Sequence, residues 1–149
     1  MSDFKDSLIE DTNYFFDGDY EVIQGRVVPS ANEVAFGRYG KEVDLAMLFI
    51  DVKESTKIVD AFRLKTAARM YQSFLRAVTK IALKNHGEVR SFNGDGVLVT
   101  FNGDSKCNNA VRSALQMMDF VNSILKPKLK TYFLNNKQAQ NLVFDCGIG

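Results

Sequence analysis

The chain has 149 residues, of which 46% are apolar and 25% charged, and its 19 Lys+Arg against 18 Asp+Glu leave a formal net charge of +1. This is the composition of an ordinary globular domain, able to bury a core without disulfides or a structural metal, and so balanced a charge excludes the electrostatic footprint needed to grip duplex nucleic acid. Cys107 and Cys146 show neither metal-ligand spacing nor a disulfide framework; with no signal peptide and no apolar run near about 18 residues, the reading is a cytoplasmic domain without a membrane span.

Residues 1–20 are acidic and aromatic, and Leu8, Ile9 and the cluster Tyr14-Phe15-Phe16 predict a short amphipathic helix or a docking arm. Gly25, Pro29, Gly37 and Gly40 break residues 21–41 into short extended pieces and turns. The run from Asp44 to Ile50 has the length of a central strand covered on both faces. Ile58, Phe62, Met70, Phe74, Val78 and Ala82 predict one helix over 57–84, stopped by Asn85-His86-Gly87 with Gly87 as a left-handed cap. Two β-prone runs around Asn93-Gly94-Asp95-Gly96 predict a hairpin. A helix over 105–125 follows, with Val111, Leu115, Met118, Val121 and Leu125 on its inner face and Pro127 ending it. Lys126, Lys128 and Lys130 open a polar, basic excursion, read as a solvated loop, and residues 142–149 form one more strand. Strand, helix, hairpin, helix, strand is an α/β or α+β order rather than pure βαβ repetition, read as α+β and divided as an N-terminal extension over 1–43 and a main domain over 44–149.

Two acids carry the chemistry. Asp51 directly follows the apolar strand, and Asp95 sits at the hairpin tip. Carboxylates on adjacent strand ends clamp hard divalent cations, and Mg²⁺ favours one or two of them plus substrate phosphates. After Asp51, the stretch Val52-Lys53-Glu54-Ser55-Thr56 leads into a helix whose first backbone N–H groups suit a triphosphate. Each acid also has a plain reading, Asp51 as turn and N-cap chemistry and Asp95 as a turn residue. Their joint appearance with one helix between them favours the site.

These segments resemble the class III nucleotidyl cyclases. Phe49-Ile50-Asp51-Val52-Lys53-Glu54-Ser55-Thr56 is similar to the family's first metal motif, and Gly87-Glu88-Val89-Arg90-Ser91-Phe92-Asn93-Gly94-Asp95-Gly96 to its hairpin motif. Phe144-Asp145-Cys146-Gly147-Ile148-Gly149 resembles the start of the next core strand. The resemblance spans about residues 44–149 and implies a ferredoxin-like palm, incomplete at the C-terminus, working as a head-to-tail homodimer. It implies that Asp51, Asp95 and the Val52 carbonyl hold two divalent cations, Mg²⁺ or Mn²⁺, and that backbone amides of Glu54, Ser55 and Thr56 hold the β- and γ-phosphates. The reaction implied is attack of the ribose 3′-hydroxyl on the α-phosphorus, giving a 3′,5′-cyclic nucleotide and pyrophosphate.

Ser91 stands where purine cyclases of this kind have Lys or Glu, and Asn93 replaces an aliphatic residue at the same strand parity. Both are candidates for the base pocket, although Asn93 also suits a tight turn, and Phe16 is a candidate for stacking on the base although its cluster also suits core or dimer packing. Arg90, of opposite parity, reads as a surface or interface charge. The wording VRSFNGDG resembles bacterial antiphage pyrimidine cyclases, implying UTP or CTP as substrate and a separate effector activated by cUMP or cCMP. The alternatives are an adenylate cyclase with an atypical base pocket and a non-catalytic nucleotide-binding or dimerisation module; the poor match at Asn93-Gly94-Asp95-Gly96-Val97 disfavours a diguanylate-cyclase-like enzyme. The family's transition-state Asn and Arg fall beyond Gly149, so the resemblance implies a longer protein. His86 reads as a surface or structural residue at a helix end, and both cysteines as small buried side chains.

Overall fold

A computed structural model describes residues 2–30, 37–53, 55–132 and 143–148, which divide into two units, Met1–Asp44 and Leu45–Gly149. In the first, helix α1 (Ser2–Phe16) precedes two short strands, β1 (Glu21–Gly25) and β2 (Tyr39–Val43). The strands pair in parallel from Glu21↔Tyr39 to Gly25↔Val43. The Arg38 guanidinium lies 4.7 Å from the Tyr14 ring centroid, and Tyr14 meets Phe15 edge to face at 5.1 Å.

The second unit runs β3 (Ala46–Lys53), α2 (Ser55–Ala61), α3 (Leu64–Lys84), β4 (Glu88–Asn93), β5 (Gly96–Phe101), α4 (Lys106–Asp119), a π-helical segment Phe120–Leu125, α5 (Lys126–Tyr132) and β6 (Val143–Ile148). The sheet order is β4-β5-β3-β6, with every neighbour antiparallel. Leu48, Ile50, Val52, Val97, Val99 and Phe101 turn to one face and pack against Met70, Phe74, Val78 and Ala82 of α3 and Ala110, Ala114 and Met117 of α4. The α+β architecture expected from the element order is the one found.

Several local expectations are corrected. The β3 run is covered on one face only: its burial alternates, and Met47 and Phe49 remain 46% and 39% exposed. An antiparallel sheet with its helices on one side needs no second cover. The strand also runs on through Asp51 to Lys53, because β6 pairs with it over Leu48–Lys53 after β5 has left at Ile50. The stretch read as one helix is two, broken at Phe62–Arg63 where Arg63 is extended (φ −62°, ψ 143°). Phe62 still packs against the core at the break, whereas the next apolar residue, Leu64, is exposed.

The end of α3 differs too. His86, not Gly87, takes the left-handed conformation (φ 62°). The Gly87 N–H donates to the Ala82 carbonyl at 2.9 Å and the His86 N–H to the Leu83 carbonyl at 3.2 Å, the bond pair of a Schellman motif. Gly87 serves close packing instead, since a Cβ there would lie 2.6 Å from Phe101 and 2.7 Å from Val99. Asn85, buried beside them, donates from its side chain to Gln116 at 2.8 Å and so ties α3 to α4.

Helix α4 turns the neighbouring face inward. Ala110, Ser113, Ala114 and Met117 are buried, whereas Val111 and Leu115 are exposed. Small side chains let the helix approach the sheet closely, which a search for large apolar residues overlooks. Pro127 does not end the helical stretch. The Lys126 N–H reaches back to the Val121 carbonyl across the π turn, so Pro127, one residue on, falls where the regular i→i−4 ladder is already interrupted. Cys107 is exposed rather than buried; the Cys146 side chain and residues 133–142 lie outside the described residues.

Gly87→Ala is therefore expected to cost about 1–3 kcal/mol, since Val99 and Phe101 are locked in the core. His86→Gly should be neutral or stabilise by up to about 1 kcal/mol by relieving the left-handed residue. Urea-unfolding midpoints at unchanged slope would report both.

Candidate active site

The register between β3 and β5 builds the site. Ile50 pairs with Val97, so Asp51 projects beside Gly96, the first residue after the hairpin turn. The Asp51 Oδ1 atom lies 3.2 Å from where a Gly96 Cβ would stand, and the Phe49 ring lies 2.6 Å from it. Only glycine admits both side chains where they stand. Across the turn Asn93 pairs with Gly96, leaving Gly94-Asp95 as a two-residue loop with Gly94 at φ 66°. Positive φ at the first loop residue alone is the pattern of a type II′ turn, which follows the twist of the strands. It carries Asp95 beside the strand that bears Asp51.

Asp95 lines a cavity of about 420 Å³ with Ser55, Thr56, Val59, Asp60, Tyr71 and Gly94. Its Oδ2 atom is buried and accepts no hydrogen bond among the described residues. A carboxylate oxygen in that state costs free energy unless a cation or donor meets it. Tyr71, on α3, donates its hydroxyl to the Ser55 carbonyl at 3.0 Å. Burial pushes the Tyr71 phenol above its ordinary pKa; the negative charge of Asp95 and, more weakly, of Asp51 pushes the same way, against a Ser55 side-chain hydrogen bond. The phenol therefore remains a neutral donor at pH 7 and lies within the field of both carboxylates.

The structure thus sets Asp95, Ser55 and Thr56 around one cleft, with Asp51 beside Gly96 at the adjoining strand end. Val52 is buried in the core, so only its backbone can take part. Glu54 lies outside the described residues. Ser91 pairs with Leu98 and Asn93 with Gly96, which puts both on the open face with Phe49 and Asp51. A register shift between Val89 and Ser91 sets Arg90 apart, and its guanidinium pairs with Glu88 at 2.6 Å. Phe16, 84% exposed, ends α1 in the first unit. Among the described residues no three His, Cys, Asp or Glu side chains converge into a metal cage. Two carboxylates and an unpartnered oxygen instead fit a hard divalent ion that arrives with substrate phosphates.

Sequence reasoning passed over Tyr71 and Asp60. Asp60 stands four residues after Thr56, a spacing that places both on one helical face. Tyr71 follows Met70 one step off the buried stripe, and nothing local distinguished it from a surface tyrosine.

No protein-family model matches the chain. It is 29% identical over 136 residues to a uridylate cyclase of Xanthomonas perforans, covering 91% of this chain and 59% of that protein. It is 28% identical over 116 residues to a uridylate cyclase of Burkholderia cepacia, covering 76% of this chain and 51% of the relative. The chain thus spans between half and three-fifths of these relatives' length. Among solved structures, the adenylyl cyclase CyaB from P. aeruginosa superposes with a TM-score of 0.62 at 22% identity over 70% of this chain and 54% of that one. The guanylyl cyclase Cya2 superposes with a TM-score of 0.61 at 17% identity over 70% of this chain and 52% of that one. The fold is accordingly that of class III cyclase catalytic domains.

Gly96→Ala should cost less than about 1 kcal/mol in stability, because the exposed Phe49 ring can swing aside. It should nonetheless weaken binding of Mn²⁺ with tripolyphosphate several-fold by displacing Asp51, as calorimetric titration would show.

Proposed function

We propose that this chain carries the catalytic centre of a metal-dependent nucleotidyl cyclase that converts UTP or CTP into cUMP or cCMP and pyrophosphate. The observation that carries the reading is the convergence of Asp51 and Asp95 around Gly96, with a buried Asp95 oxygen that has no donor among the described residues. In this reading Asp51, Asp95 and the Val52 carbonyl hold two divalent cations, Mg²⁺ or Mn²⁺. Bound there, such cations supply a lowered pKa for the ribose 3′-hydroxyl and charge neutralisation for the leaving pyrophosphate. Backbone amides of Glu54, Ser55 and Thr56 hold the β- and γ-phosphates, so the chain contributes position and electrostatics rather than a covalent step.

The pyrimidine assignment draws support from relatives named uridylate cyclase and from the short, uncharged Ser91 and Asn93 on the face that would meet the base. In the same reading the chain works as a head-to-tail homodimer, and the partly uncovered Met47 and Phe49 on the open face are apolar side chains a partner could cover. Among the described residues no helix is long and apolar enough to cross a membrane. The cyclic product would act in the cytoplasm as a second messenger of antiphage defence, read by a separate effector.

Incubating the full-length protein with each of the four nucleoside triphosphates and Mn²⁺ should yield cUMP or cCMP. A purine product alone would overturn the base assignment, and no product from any of the four would overturn the enzyme reading. Asp51→Ala and Asp95→Ala should each lower turnover by at least about 10³-fold. Both should keep their folding midpoint near wild type, since each removes one of two neighbouring like charges.

A further inference from the structure

Among the described residues, Tyr71 is the one side chain from α3 in a cleft otherwise made by α2 and the hairpin turn. Its hydroxyl meets the Ser55 carbonyl at 3.0 Å across 16 residues of sequence, in the segment that follows the Asp51 strand. The same cleft is lined by Asp95. Helix α3 is anchored by Met70, Phe74, Val78 and Ala82 in the core, so a bond from its edge transmits the position of the rigid sheet-and-helix body to this short segment.

We propose that Tyr71 is a positioning residue for the triphosphate: by holding the Ser55 carbonyl, its hydroxyl fixes the phosphate-binding turn at the distance from Asp95 that the substrate requires. The proposal rests on the cyclase reading. The hydroxyl touches neither the reacting atoms nor a departing group; it acts through Ser55. Removing it loosens the turn, so ordering that segment must then be done by the substrate itself. The cost falls on binding rather than on the step that follows.

Tyr71→Phe in the full-length protein deletes the hydroxyl and keeps the ring. The expected result is a KM for the nucleoside triphosphate raised about three- to tenfold, the size of one net hydrogen bond. The kcat should fall less than about twofold, and the unfolding midpoint of the free protein should stay within about 4 °C of wild type. Mn²⁺ with tripolyphosphate, which has no base and cannot react, should raise the wild-type midpoint more than that of the variant. An unchanged KM overturns the proposal, and so does a variant that fails to fold, since the phenol would then serve stability alone. If the wild type makes no cyclic product, the cyclase reading fails and the tripolyphosphate shift decides. A smaller shift in the variant then upholds Tyr71; equal shifts, or none in the wild type, overturn it.

Discussion

The arrangement depends on one pairing, the antiparallel register that sets Ile50 against Val97. That register aligns the end of β3 with the start of β5, and the two-residue turn then leaves no slack between Asp51 and the hairpin. A slip by one residue would send Asp51 into the helical core and bring an apolar neighbour to the cleft, because successive side chains point to opposite faces. Gly96 lets the side chains that this pairing brings together keep their places. Any Cβ there meets both the Phe49 ring and the Asp51 carboxylate.

The sheet divides its faces between stability and chemistry. Leu48, Ile50, Val97 and Val99, all fully buried, interlock with α3 and α4, and burial of this kind is the main favourable contribution to folding. The opposite face carries Asp51, Ser91 and Asn93 together with uncovered Met47 and Phe49. Side chains alternate along one strand, so Ile50 and Val52 secure the position of Asp51 between them without touching the cleft. The buried, unpartnered oxygen of Asp95 runs against stability. A rigid core lets the fold tolerate that cost at a place where a bound cation would offset it.

Backbone economies elsewhere follow the same division. His86 accepts a left-handed conformation so that Gly87 can lie against Val99 and Phe101. Ala110, Ser113 and Ala114 give up side-chain bulk so that α4 can sit on the sheet. Both devices shorten the distance between helix and sheet, and both stiffen the body on which the β3 and hairpin termini are displayed.

Local signals in the amino-acid order were sufficient for some of the elements: the apolar run of β3, the Met70-Phe74-Val78-Ala82 stripe and the hairpin turn, but not for the break between α2 and α3 or for α5, where a loop was expected. The legible ones rest on side-chain periodicity or turn chemistry within a few residues. What required tertiary structure depends on partners distant along the chain. The pairing with β6 keeps Asp51 inside a strand instead of after it, helices on one side alone leave Phe49 open, and the inner face of α4 is chosen by fit to the sheet rather than by apolar size. Tyr71 enters the cleft for the same reason. Its role depends on a carbonyl 16 residues away, and periodicity says nothing about contacts that only the packing of α3 against the sheet creates.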